Sequence, residues 1–474
     1  MLTTPTWPGS IVVMIQSDVL QRVLSSALSA GGDFAEVFAE ERDSSSAALD
    51  NGRIETFTSG RNRGAGIRVV RGETTGFAHT ADLTEEGLLG AARAAAAAAA
   101  GPAGTTRTIS LERIPVESAV VASPPSEVAK SRKADLLLRA DEVARSEGAA
   151  IGQVRAGYAD ARRAILVANS EGMLAEDSVT RTRIHVQCVA VGDGGMQTGF
   201  DAPGRTMGFE LFDEVDVDEV ARTAARRALT NLSAQPAPSG RWPVVLKRGA
   251  GAVLFHEACG HGLEADLVGK EASVFRGRRG EKVASPLVTV VDDGTYAREW
   301  GTAAIDDEGA PRQRNVLIQD GELDDYMWDW LRARKEGRQR SGNGRRETYQ
   351  VLPMTRMTNT FVLPGDDDPD EIIAQTSRGI YCVALGGGQV NTVSGDFVFG
   401  ITEAYMIENG EITYPIRGAN LVGNGPEVLM GVDAVGNDFE TWTGMCGKDG
   451  QSVPVSSGQP TLRVAEMTVG GTSL

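Results

Sequence analysis

His256, Glu257 and His261 stand in the stretch VVLKRGAGAVLFHEACGHGLEAD, and these residue types bind metal ions and move protons. In the familiar H-E-x-x-H pattern both imidazoles project from one helical face, with the glutamate as general base. Here the histidines are five positions apart. At about 100° per residue, that spacing sets them roughly 140° apart on a regular α-helix, too far to share an ion. A π-type turn closes one residue later and would return both rings to one face, and Gly260 would ease it. Glu257 would then lie beside the ion without binding it, placed to take a proton from a bound water. Only four histidines occur in the chain, and two of them flank this glutamate. The competing reading is a buried helix end with hydrogen-bonded imidazoles.

Two histidines do not complete a catalytic zinc site, which usually has three protein ligands and a water. Cys259 and Glu264 are local candidates, each on the turn after a histidine. Cys446, in WTGMCGKDGQ, is a distant one, where Gly444 and Gly447 would let the backbone approach an ion. Spacing leaves these three open. A closed structural site would take a fourth protein ligand, Cys259 or Glu264.

The elements that must position these residues fall into two halves, an α+β arrangement. In the first, Ser17 or Asp18 caps a helix with apolar positions Leu20, Val23, Leu24 and Leu28. FAEVFAEE, SSAAL, RIETFTS, AGIRVVR and TTGFAHT read as strands, with hairpin turns at Asp50-Asn51-Gly52 and Arg71-Gly72-Glu73. Thr84 caps an alanine-rich helix over 85–100, and further helices are predicted over 126–147 and 217–232, with strands near 165–167 and 184–191. SAQPAPSGRWP, residues 233–243, reads as a linker. The domains are therefore a leader over 1–16, an N-terminal mixed α/β domain with hairpins and packed helices over 17–232, and a C-terminal domain over 244–474. In the last, turns at Asp293-Gly294, Asp320-Gly321 and Asn409-Gly410 separate strand-like runs. That pattern predicts a largely antiparallel β domain carrying the HExxxH helix.

With 474 residues, two domains are expected. A formal charge of −17 speaks against a nucleic-acid partner, though Arg345-Arg346 can form a local basic patch. The four cysteines form no paired framework, which fits a reducing compartment. The first residues lack a basic, long apolar leader, and no apolar run is long enough for a membrane span; a cytoplasmic location is expected, with Met14 an alternative start.

HEACGHGLEAD, IDDEGAP, SGNGRRETYQVLPMTRMTNTFVLPG, GGGQVNTVSGDFVFGITEAYMIENGEITYPIRGANLVGNGPEVL and CGKDGQSVPVSSGQPTLRV together resemble the TldD branch of the TldD/PmbA metallopeptidases. DFAEVFAEERDSSSAALDNGRIETFTSGRNRGAGIRVV is similar to that family's N-terminal domain. The resemblance implies a zinc ion held by His256, His261 and Cys446, with Glu257 as general base. It implies that Cys259 only packs and that Glu264 orients a histidine. It also implies proteolysis of unfolded or short peptides, and a heterodimer with a PmbA-type (TldE-like) paralogue lacking the zinc motif, a homodimer being the alternative. Two rival functions remain: a peptide-binding regulatory module with a structural zinc, and a zinc amidase acting on a non-peptide bond. Tyr349 and Arg345 are candidates for stabilising an oxyanion. GGGQV, residues 386–390, is a candidate for receiving an extended substrate by strand addition.

Overall fold

The computed structural model describes residues 15–99, 108–193 and 195–471. The expected leader up to Met14 lies outside them. An antiparallel sheet organises the first half, in the order Thr74–Thr80, Arg53–Arg71, Phe34–Asp50, Ile151–Asn169, Met173–Gly192. The short runs expected as separate strands are continuous here: FAEVFAEE and SSAAL belong to one 17-residue strand. Asn51 and Gly52 both have positive φ, 54° and 81°, the primed turn that matches strand twist.

Alternation along these strands explains the layers. Val37, Ala39, Ala47 and Leu49 share one face of their strand. Helices Ser17–Leu28 and Glu85–Ala98 cover one end of it, and Lys130–Ser146 and Val217–Ser233 the other. Phe38, Ile165 and Val167 point from the opposite face towards Ile305 and Tyr349 of the second half. Two helix starts differ from expectation. Gln16 is the N-cap of the first helix, while Asp18 pairs with Arg22 one turn on. The third helix begins at Lys130, because Val128 is extended after the turn Pro125–Glu127.

The second half holds two large sheets, largely antiparallel, and a two-stranded ribbon of Gly344–Arg345 and Met354–Thr355. The larger joins Arg378–Val390, Gly240–Leu246, Leu462–Gly470, Asn420–Asn424, Asp396–Glu408 and Glu411–Arg417. Residues 233–243 contribute strands to it: Gln235–Pro236 pairs with Glu411–Arg417, and Gly240–Leu246 is an inner strand. The other sheet ends on the hairpin of Glu440–Lys448 and Gln451–Gln459. The core between these sheets encloses the histidine-bearing turn. Among the described residues no helix is long and apolar enough to cross a membrane.

Candidate metal centre

Helix Ala252–Phe255 passes into a π-turn, His256–Gly260, and then a tight turn, His261–Leu263. The widened turn is what the five-residue spacing required, and it sets the two imidazole centroids 5.1 Å apart. Gly260 serves a different purpose from the one expected. Its backbone is ordinary helix (φ −54°, ψ −54°). A Cβ there would meet the Met357 sulfur at 2.2 Å, so the glycine admits buried Met357 against the turn.

Cys446 arrives from the far end of the chain on the edge strand Glu440–Lys448, opposite Val453. The hairpin closes at Asp449-Gly450 with both φ positive, 48° and 75°. Alternation turns Cys446 and Lys448 inwards and leaves Met445 exposed on the other face. At the neighbouring glycines, a Cβ on Gly444 would strike the Trp442 ring, and one on Gly447 would meet no protein atom within 4 Å.

The Nε2 atoms of His256 and His261 lie 3.1 and 3.3 Å from Cys446 Sγ. All three donors are buried and lie within 4.8 Å of one another. In a tetrahedral zinc site, bonds of about 2.0–2.1 Å to nitrogen and about 2.3 Å to sulfur put N and S about 3.5 Å apart. The donor set therefore fits such an ion with small shifts. Each second ring nitrogen has its own neighbour. His261 Nδ1 is 2.9 Å from Glu264 Oε2, and His256 Nδ1 is 3.4 Å from Ser457 Oγ. These contacts orient the rings with Nε2 inwards.

Glu264 is fully committed. It accepts from Lys448 Nζ at 2.9 Å and from Met357 N at 3.2 Å as well as facing His261. Lys448 also donates to Asp266 at 2.7 Å and to the Thr355 carbonyl at 2.9 Å. Burial alone would raise the Glu264 pKa, but Lys448 and His261 outweigh it and bring it down to about 2. Burial would likewise raise the Cys446 thiol, yet the two imidazoles hold it well below its ordinary value. His261 is pulled down by burial and held well above its usual value by Glu264 and Cys446. The surroundings of Cys446 thus favour its thiolate, the form that ligates metals.

Cys259, one turn from His256, is fully buried and donates to the Phe255 carbonyl at 3.2 Å; burial pushes its thiol up to about 12. Glu257 places Oε2 3.8 Å from His261 Nε2 and keeps a partly exposed side chain. Arg345 spends its donors on the Met357 and Pro454 carbonyls, at 2.5 and 2.7 Å, and Tyr349 packs against the N-terminal sheet. Sequence reasoning missed Lys448, Asp266 and Ser457. Lys448 had a usable signal, since it stands two residues after Cys446 and shares its face of the strand.

Models of the PmbA/TldA metallopeptidase family match three stretches of the chain: domain 1 over residues 35–99, the central domain over 123–232, and the C-terminal domain over 239–471. The chain therefore belongs to the PmbA/TldD family of metallopeptidases. A metalloprotease TldD homolog of Haemophilus influenzae is 41% identical over 450 residues, 93% of each chain. A structure from Thermotoga maritima, described as a candidate modulator of a DNA gyrase, superposes with a TM-score of 0.79 at 21% identity, covering 96% of this chain and 99% of the other. TldE from Thermococcus kodakarensis gives a TM-score of 0.74 at 20% identity, covering 94% and 100%. These two likenesses speak for the fold.

Proposed function

We propose that the chain is a zinc-dependent peptidase cleaving unfolded polypeptides or short peptides, with the ion held by His256, His261 and Cys446. The observation carrying this reading is the convergence of two Nε2 atoms on one thiolate beside Glu257. Two imidazoles and a thiolate suit zinc better than calcium or magnesium, which prefer oxygen donors. When bound, the ion acts as a Lewis acid that polarises the scissile carbonyl and lowers the pKa of water. Glu257 takes the proton from the attacking water and returns it to the leaving amine. Ser457 and Glu264 hold the imidazoles in register, and Lys448 holds Glu264.

A structural site would need a fourth protein ligand. Cys259 is turned to a backbone carbonyl and Glu264 is saturated, so the donor set supports an open fourth position. Beyond Cys382, the strand Arg378–Val390 pairs only with Asp396–Glu408 among the described residues. That free edge, residues 385–390, supports capture of an extended chain by backbone pairing, with weak side-chain preference. Gly388 has a packing role as well, since a Cβ there would strike Phe399. A cytoplasmic setting, a division at residues 233–243 and a TldE-like partner subunit belong to this reading; the likeness to a TldE fold supports the last.

The test is Glu257→Gln, assayed with its partner subunit on a denatured protein and on a small amide. Metal content should stay at the wild-type level while proteolysis falls by about 10²–10⁴-fold. Unchanged cleavage would remove Glu257 from the mechanism. Hydrolysis of the small amide alone would move the assignment to an amidase.

A further inference from the structure

A cavity of about 320 Å³ lies between the N-terminal sheet and the second half, and none of the metal-centre residues lines it. Its walls carry seven arginines against four carboxylates. That local excess of positive charge occurs in a chain whose formal charge is −17.

The carboxylates are already occupied by protein donors. Asp160 accepts from Lys133 at 2.8 Å, Asp177 from Ala304 N at 2.9 Å, Asp307 from Arg163 at 2.7 Å and Glu347 from Ser452 N at 3.1 Å. The arginines are only partly so: Arg163 and Arg346 pair with Glu40 and Glu36 behind the wall, and Arg181 and Arg345 donate to carbonyls, but some guanidinium nitrogens have no partner. Nε of Arg183, Arg312 and Arg346, with Nη1 of Arg346, are buried without a hydrogen-bond partner, and Arg346 is only 1% exposed. Among the described residues, the side chains of Arg42 at the rim and Arg183 in the wall form no salt bridge or hydrogen bond. Buried donors left unpaired are costly unless something meets them. Crowding has an electrostatic signature too. Burial, followed by neighbouring Arg163 and Arg312, brings the Arg181 pKa down to about 9. Between the arginines lie Ile165, Val179 and Trp300.

Guanidinium forks match the geometry of carboxylate and phosphate oxygens. The volume is at the small end for organic ligands, too small for a folded partner. We propose that this cavity binds a small oxyanion, a carboxylate or phosphate group on a compact apolar body, with the Arg183 guanidinium meeting the oxygens and Arg42 at the mouth. The cavity adjoins the hairpin that carries Cys446, with Met445 and Val453 in its wall, but holds none of the metal-centre donors and does not depend on their assignment.

Isothermal titration of the full chain with phenyl phosphate and with benzoate, at constant ionic strength set by sodium chloride, tests it. One saturable site per chain is expected for at least one probe; which probe binds tells phosphate from carboxylate. Arg183→Gln should weaken binding about tenfold, the loss of one charge-assisted contact. Arg42→Glu is the second variant, because the exposed side chain supports no contact of the fold; it should weaken binding with an unchanged melting curve. No saturable heat with either probe, or wild-type binding in both variants, overturns the proposal.

Discussion

Cys259 and Cys446 are both buried close to the same two histidines, yet their thiols are driven in opposite directions. Burial raises both. At Cys259 only the Gly260 backbone N–H opposes it, and burial wins, because the side chain is turned to the Phe255 carbonyl one turn back and not to the imidazoles. At Cys446 the two Nε2 atoms face the sulfur and reverse the shift. Nearness in sequence to the histidines is therefore a poor guide to which thiol faces them. Position relative to the converging ring nitrogens decides it, and the edge strand Glu440–Lys448 supplies that position for Cys446.

The largest expected difference follows directly. Cys446→Ser should abolish stoichiometric zinc in the purified protein and proteolysis with it, whereas Cys259→Ser should retain both; elemental analysis of the two variants separates the cysteines. If Cys259→Ser also lost the metal, the contrast would fail. Next comes the layer behind the rings. Glu264→Gln or Lys448→Met should weaken zinc affinity by about 10–100-fold in competition with a chelator, the usual effect of removing a ligand's orienting partner. Equal loss in a distant control such as Glu210→Gln would remove that specificity.

A smaller effect is expected from Gly260→Ala, which forces a methyl into the Met357 sulfur and should destabilise the fold by about 1–3 kcal/mol in chemical denaturation. Met357→Ala should relieve part of that cost in the double variant. The smallest is a pH effect on Cys382, whose buried thiol is raised from 9.0 to about 12. A group whose folded pKa is raised contributes stability below its unfolded pKa and loses it as pH climbs towards the folded value. The stability gap between wild type and Cys382→Ala should therefore narrow between pH 9 and pH 12, measured by denaturant melts. A constant gap across that window would mean the thiol does not titrate as burial requires.

The anomalous histidine spacing was legible because helix geometry is local: 256 and 261 cannot share a face without an extra residue in the turn, and the π-turn is there. The turn dipeptides Asn51-Gly52, Asp320-Gly321 and Asn409-Gly410 were legible for the same reason, all with positive φ at both positions. Strand length was not. The polar middle of Phe34–Asp50 interrupts any apolar pattern, yet pairing on both sides with Arg53–Arg71 and Ile151–Asn169 carries the ladder through it.

Residue types and spacing by themselves determined which side chains can do chemistry, where the chain turns, and that an ordinary α-helix would not serve between the two histidines. The tertiary structure alone decided which cysteine faces the imidazoles, that Lys448 braces Glu264, and that seven arginines meet across a seam between the halves. The physical reason is range. Backbone turns follow from neighbours a few bonds away, whereas donor geometry and buried charge depend on which distant strands are brought together, and no local pattern records that.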